Sequence, residues 1–222
     1  MPPRLLLFTR TTGYRHDSIP AAVAAVRELC RAAGLATEHT EDPGHFRDDR
    51  LAGYAAVVWL QASGTVLDAE GRAAYERFTR RGGGFAGVHA AATAEPDWDF
   101  YEGLVGARFL AHPPGVHPAV LRVADAGTPA TGHLPAEWHH TDEWYTFRTD
   151  PRPRVRVQLT LDESTYDPGE LSMGGDHPIA WSGRHAGART WYTALGHAAG
   201  TYDDPAFRAH LIGGIRSVLG DP

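Results

Sequence analysis

Gly82-Gly-Gly-Phe-Ala-Gly-Val-His-Ala90 breaks a helix and opens a strand, and that order decides the architecture. Asp68 can cap a helix running to about Arg81, which the glycine triplet terminates. Phe85–Val88 then reads as a short buried strand ending at His89. The same glycines formally match GxGxxG. A dinucleotide-binding fingerprint, however, follows a strand and opens a helix, and here the order is reversed. They are read as helix termination and tight packing.

Upstream, Arg4–Thr9 is an apolar run that opens the chain as a buried strand, and residues 11–18 form a polar loop. Pro20 stands early in a helix reaching about Ala33, with Val23, Val26, Cys30 and Ala33 on a packed face and Gly34 closing it. Leu35–Thr40 and Ala55–Leu60 supply two more strands. Strands alternating with helices predict an α/β fold: a flavodoxin-like three-layer sandwich around a mostly parallel central sheet. Downstream, Pro and Gly are frequent. Strand-like runs at His117–Ala124, Arg154–Leu161, Pro178–Ser182 and Arg189–Leu195 are separated by long loops, giving β-rich insertions in the second half. The last helix has Asp204 as N-cap, Pro205 at its first position, and Phe207, Leu211, Ile215, Val218 and Leu219 on one face. No repeat or linker divides the chain, so residues 1–222 are expected to form one domain.

Composition narrows the function. Hydrophobic residues at 42% and charged residues at 22% allow a sizeable core. The net charge of −6, without any dense Lys/Arg block, argues against nucleic acid or an anionic membrane as partner. Cys30 stands alone, which excludes intrachain disulfides, thiolate zinc sites and CxxC redox chemistry. No window approaches the ~20 apolar residues of a membrane span, and Leu5–Phe8 is too short for a signal sequence, so a cytoplasmic protein is expected. The 13 histidines, several in loops, raise the weight of acid–base or metal chemistry.

Ligands of an open parallel sheet bind beyond the carboxyl ends of its strands. Gly13–Ser18, Gln61-Ala62-Ser63-Gly64 and His89-Ala90-Ala91 all fall at such ends, which would gather His16, Gln61 and His89 around one cleft. No GxSxG, Walker or HExxH sequence is present.

Thr12-Gly-Tyr-Arg-His16, Gly82–Ala90, Gly106-Ala-Arg-Phe109 with His112-Pro113, Asp142-Glu143 with Tyr145, His177-Pro178 with Trp181, and Gly187–His197 occur in this order over nearly the whole chain. Together they resemble the ThuA (trehalose utilisation) family. The resemblance implies the class I glutamine amidotransferase-like fold, whose nucleophilic cysteine sits on the turn after a central strand. Here that turn reads Gly87-Val-His89-Ala-Ala, so cysteine-based amide hydrolysis is out.

Histidines and carboxylates remain. His89 and His197 are read as catalytic base and acid, with Glu143 as partner or second base; the alternatives are a structural histidine in the turn at 89 and a loop cap at 197. His16, Arg15, Gln61, Asp142, Tyr145 and His112 are the candidate substrate contacts, although Arg15 could equally pair with a nearby carboxylate. Asp142 and Glu143 are adjacent, so on a strand they point to opposite faces; one enters the cleft and the other orients a histidine or a loop. His139 and His140 offer a further acid–base or metal group. Trp144 or Tyr145 could stack on a sugar, while His45, His133, His185 and His210 read as surface residues.

The resemblance implies carbohydrate processing, so the expected function is histidine/carboxylate acid–base chemistry on a sugar or a 3-keto-glycoside, by isomerisation or elimination. Two alternatives stand beside it. One is a metal-dependent hydrolase or lyase holding a divalent ion such as zinc, although no pair of histidines has convincing helical ligand spacing. The other is a non-catalytic carbohydrate-binding module. The expected partner is a small-molecule sugar; homo-oligomerisation and the identity of any metal stay open.

Overall fold

The first half runs β1 (Arg4–Phe8), α1 (Ile19–Ala32), β2 (Ala36–Thr40), α2 (Asp48–Leu51), β3 (Ala56–Leu60), α3 (Ala69–Arg80) and β4 (Gly84–Val88) in the computed structural model, which describes residues 2–219. The second half adds α4 (Asp99–Val105), β5 (Phe109–Ala111), β6 (His117–Val123), β7 (Glu137–Asp142), β8 (Thr146–Phe147), β9 (Arg156–Asp162), β10 (Pro178–His185), β11 (Ala188–Thr193) and α5 (Pro205–Ser217).

β3 and β4 are buried at every position, the pattern of parallel strands covered on both faces. Nine strands form one sheet in the order β2-β1-β3-β4-β11-β10-β9-β6-β7. The stretch from β2 to β11 is parallel. Its register sets Trp59, Gly87 and Tyr192 side by side on one face and Val58, Ala86 and Trp191 on the other. On the first face Trp59 packs against Tyr75 of α3 and Tyr101 of α4; on the second, Trp191 lies under α5, which packs beside α1. The layers are therefore helix, sheet, helix.

The second-half runs are strands, but they lengthen the same sheet. β10, β9, β6 and β7 add to it antiparallel, and among the described residues only β5 and β8 form a separate pair. Asp68 caps α3 by accepting from Gly71 N–H, and Asp204 caps α5 through Ala206 N–H. Two expectations are corrected. Ala33 is exposed, because α1 ends at Ala32 and Ala33 lies past its last packed turn.

His210 is no surface residue. It shares the inward face of α5 with Phe207, Leu211 and Gly214 and is fully buried. Its Nδ1 donates to the Ala130 carbonyl at 2.8 Å, and in the neutral ring Nε2 accepts from the Thr193 hydroxyl at 3.1 Å. Burial pushes its pKa down to about 4. An unfolded chain takes up this proton near pH 6.5, whereas the fold resists until about 4. Stability should therefore fall as pH drops from about 6.5 to 4, by roughly 3 kcal/mol from this residue. Urea unfolding across that range would show it, with a shallower fall in His210→Gln; equal slopes would refute the assignment.

Candidate active site

Loops leaving the carboxyl ends of β1, β4 and β11 meet over the sheet. The loop after β1 is tied to the one after β3 by Thr12 N–H to the Ser63 carbonyl at 2.9 Å, and by the Ser63 hydroxyl to the Tyr14 carbonyl at 2.6 Å. Gly64 permits the contact: at φ +76° its backbone is left-handed, and a Cβ there would stand 2.4 Å from Thr12 Oγ1. This sets His16 above the strand ends. His89 ends β4 at φ +50°, a left-handed conformation rare for a non-glycine residue, which turns the chain sharply out of the sheet. His197 follows the turn at Gly196.

Asp142 is the last residue of β7 and Glu143 lies just past it, and the two divide between the back and the front of the site. Asp142 is fully buried behind the site, accepting from Gly196 N–H at 2.8 Å, His197 N–H at 3.1 Å and Glu143 N–H at 2.9 Å. Burial opposes its charge, yet His140 and His89 nearby keep its pKa below the ordinary value. It fixes the backbone that carries the reactive side chains.

Glu143 points forward. One donor atom from each of His16, His89, Glu143 and His197 lies within 4.8 Å of all the others. Glu143 Oε2 is 3.3 Å from His197 Nδ1 and 3.5 Å from His89 Nε2, while Oε1 is 3.2 Å from His112 Nδ1. His89 Nδ1 donates to the Ala194 carbonyl at 2.6 Å, so in the neutral ring the lone pair is on Nε2, turned toward Glu143. His16 Nδ1, His89 Nε2 and His197 Nδ1 are all buried without a hydrogen-bond partner. Such a set could hold one divalent cation.

Electrostatics follow from the crowding. Burial, and then the neighbouring His89 and His197, push His16 down to about 3. Burial works against the Glu143 charge, but the His197 and His89 rings outweigh it and hold the carboxyl well below its usual range. The same contact with Glu143 raises His197.

Above the cluster is a cavity of about 300 Å³ lined by Tyr14, His16, Thr93, Phe109, His112, Glu143 and Tyr145. Tyr145 lies against His89 with ring centroids 4.3 Å apart, and Phe109 against Tyr145 at 4.4 Å. His177 braces this wall from behind, its Nε2 2.8 Å from the Tyr145 carbonyl and its Nδ1 2.7 Å from Glu163. Tyr14, 70% exposed, stands at the mouth.

The structure thus brings His16, His89, His112, Glu143, Tyr145 and His197 together. It does not bring Arg15, Gln61 or Asp142 to the cavity. Arg15 faces outward in a two-point pair with Glu41, at 2.7 and 3.2 Å. Gln61 is fully buried and spends its amide on the Gly196 carbonyl and Tyr202 hydroxyl, at 2.8 and 2.7 Å, while accepting from Ser18. Trp144 is buried away from the cavity, His140 sits against Asp142 at 3.4 Å, and His139 is exposed. Tyr14, Thr93 and Phe109 are lining residues that sequence reasoning did not single out; Tyr14 and Phe109 belong to the quoted motifs, while Thr93 left no signal.

The family model described as trehalose utilisation matches residues 4–217. A ThuA-like protein from Bacteroides uniformis is 24% identical, with 98% of this chain and 92% of that chain covered and a TM-score of 0.82. One from Parabacteroides merdae is 20% identical, covering 99% and 90%, with a TM-score of 0.76. A cytoplasmic protein from Salmonella typhimurium is 10% identical, covering 97% and 98%, at 0.62. At these identities the likeness is one of fold. No curated protein matches the sequence. Among the described residues no helix is long and apolar enough to cross a membrane.

Proposed function

The chain belongs to the ThuA family, a sugar-related family of the class I glutamine amidotransferase-like type, and from that premise we propose that it is an enzyme acting on an oxidised sugar, a 3-keto-glycoside. The observation that carries this reading is one carboxylate, Glu143, set among the imidazoles of His16, His89 and His197, with a fourth, His112, on the wall of a small cavity. A ketone needs this division: a base for the adjacent carbon-bound proton and an electrophilic group for the oxygen that becomes negative.

His112 is the group placed for the proton. Its Nδ1 is 2.9 Å from the Pro113 carbonyl and 3.2 Å from Glu143 Oε1, two acceptors that fix the proton on Nδ1. Nε2 keeps its lone pair. This moves the base role from His89, which is fully buried beneath Tyr145 with its Nδ1 committed to a backbone carbonyl. Removal of the proton on C2 by His112 turns the C–H pair into the C2–C3 double bond of an enediolate, whose oxygen faces the buried cluster. Collapse of that enediolate expels the glycosidic oxygen from C1, which takes a proton as it leaves; reprotonation instead gives an isomer. Both outcomes share the first step. Tyr14 and Phe109 offer faces for the apolar side of the ring.

The test reads that first step. Proton NMR of a 3-keto-disaccharide in D₂O should show enzyme-dependent loss of the proton next to the ketone. His112→Gln should slow it by about 10²- to 10³-fold with KM little changed. A parent enzyme that neither exchanges nor consumes any 3-keto-glycoside would overturn the substrate reading. Full activity of His112→Gln would return the base role to another group.

A further inference from the structure

We propose that His16, His89, His197 and Glu143 bind one divalent first-row transition-metal ion, zinc in its simplest form, which can expand to take a fifth ligand from the cavity. The inference deepens the functional reading of the same site but does not depend on its substrate.

Three observations carry it. First, three imidazole nitrogens, His16 Nδ1, His89 Nε2 and His197 Nδ1, are buried and unpartnered. A buried nitrogen without a partner forfeits about 1–3 kcal/mol, so three in one place call for a shared partner. Second, the tautomer of His89 is set. With Nδ1–H held by the Ala194 carbonyl, the neutral ring turns a lone pair toward Glu143 Oε2 at 3.5 Å. Two acceptors face one another there, and a cation between them converts repulsion into coordination. A backbone carbonyl behind a ligating histidine is the usual outer contact of a metal site. Third, the spacing of Glu143 from two of the imidazoles fits. Ligands about 2.1 Å from a tetrahedral ion stand roughly 3.4 Å apart, and Oε2 of Glu143 is 3.3 and 3.5 Å from the nitrogens of His197 and His89.

The donor set names the class of ion. Three neutral imidazoles and one carboxylate, with no thiolate, suit zinc and its first-row neighbours over calcium or magnesium, which take oxygen ligands. Asp142 completes the outer arrangement: buried, it holds the backbone N–H groups of both Glu143 and His197. The ligands arrive from four separate loops, so no short motif in the sequence announces them. When bound, the ion would supply Lewis-acid stabilisation of an oxyanion in the cavity.

The test uses protein purified without a histidine tag. Metal analysis and titration of chelator-treated protein with Co²⁺ should give one equivalent per chain, with visible absorption bands of a nitrogen-ligated ion. His89→Ala should lower Co²⁺ affinity by at least about 100-fold, and Asp142→Asn by about 10- to 100-fold. The exposed His139→Ala should leave it unchanged. If His89→Ala does not fold, Glu143→Gln, which keeps the shape of the side chain, reads the same loss. Less than about a tenth of an equivalent in the parent, or unchanged binding in a folded ligand variant, overturns the site. The two readings fail separately. Cobalt binding without keto-sugar turnover keeps the metal and removes the substrate; deuterium exchange by protein that takes up no cobalt does the opposite.

Discussion

Glu143→Gln should lower the rate of proton exchange by at least about 10³-fold and leave the fold intact. The side chain would keep its length and shape, and its exposure is slight, so packing changes little. What changes is one charge at the point where every reactive group meets. Oε2 lies 3.3 Å from His197 and 3.5 Å from His89, and Oε1 lies 3.2 Å from His112. Whichever way an amide is turned, its NH₂ group replaces one of these acceptors. Facing His112, it opposes the Nδ1–H that keeps the lone pair on Nε2; facing the other two, it removes the anionic member of the cluster. Loss of a carboxylate that orients a catalytic histidine costs on the order of 10⁴ where triads have been dissected, and Glu143 serves two sets of imidazoles at once. Single-turnover exchange in D₂O is the measurement. A variant within tenfold of the parent would mean that Glu143 is structural and that the reading of the site is wrong.

His16, His89 and His197 were legible in the sequence because topology places residues at the carboxyl ends of parallel strands near one another, whatever their separation along the chain. The split of Asp142 and Glu143 was expected from the two-residue repeat of a strand, although β7 ends at Asp142 and Glu143 lies just past it. Gln61 was not. Its position at a strand end is the same as that of His89, but its amide is consumed by the Gly196 carbonyl, Tyr202 and Ser18, partners that the fold alone supplies. Arg15 offered two readings, and the nearness of Glu41 from the end of β2 decided between them. His210 looked like a surface residue because histidine is polar. Its helical spacing from Phe207 and Gly214 was the better guide.

In the fold, the first half was readable because its apolar runs are unbroken and each helix carries its own cap and stop. The second half was harder. Its strands pair with partners far off in sequence, β11 beside β4 and β6 beside β9, and no local signal sets that order. Helix α4 was missed as well: among its seven residues, Asp99–Val105, there are too few turns to show a period.

Among single substitutions the largest stability effect is expected at Gly214, where two rules of opposite sign compete. Glycine inside a helix costs about 1 kcal/mol relative to alanine, so Gly214→Ala ought to stabilise α5. The neighbours decide otherwise. A Cβ at Gly214 would stand 2.0 Å from Cε2 of Trp191 and 2.3 Å from two more of its atoms. That indole cannot step aside: it is fully buried, and its Nε1 donates to Gln158 at 3.0 Å. Overpacking a fixed aromatic costs about 1–3 kcal/mol or more, which exceeds the gain in propensity. We expect a net loss of about 2 kcal/mol and a Tm lower by roughly 4–8 °C. The effect should reach the site, because the turn before α5 carries Tyr202, whose hydroxyl meets Gln61 and the Gly196 carbonyl beside His197. Gly200→Ala, in that same turn but with open space where its Cβ would go, is the control and should be close to neutral. Paired thermal and urea melts decide the matter. A Gly214→Ala protein as stable as the parent would show that α5 can slide off Trp191, and the close seating of this helix would then not be what holds the back of the site.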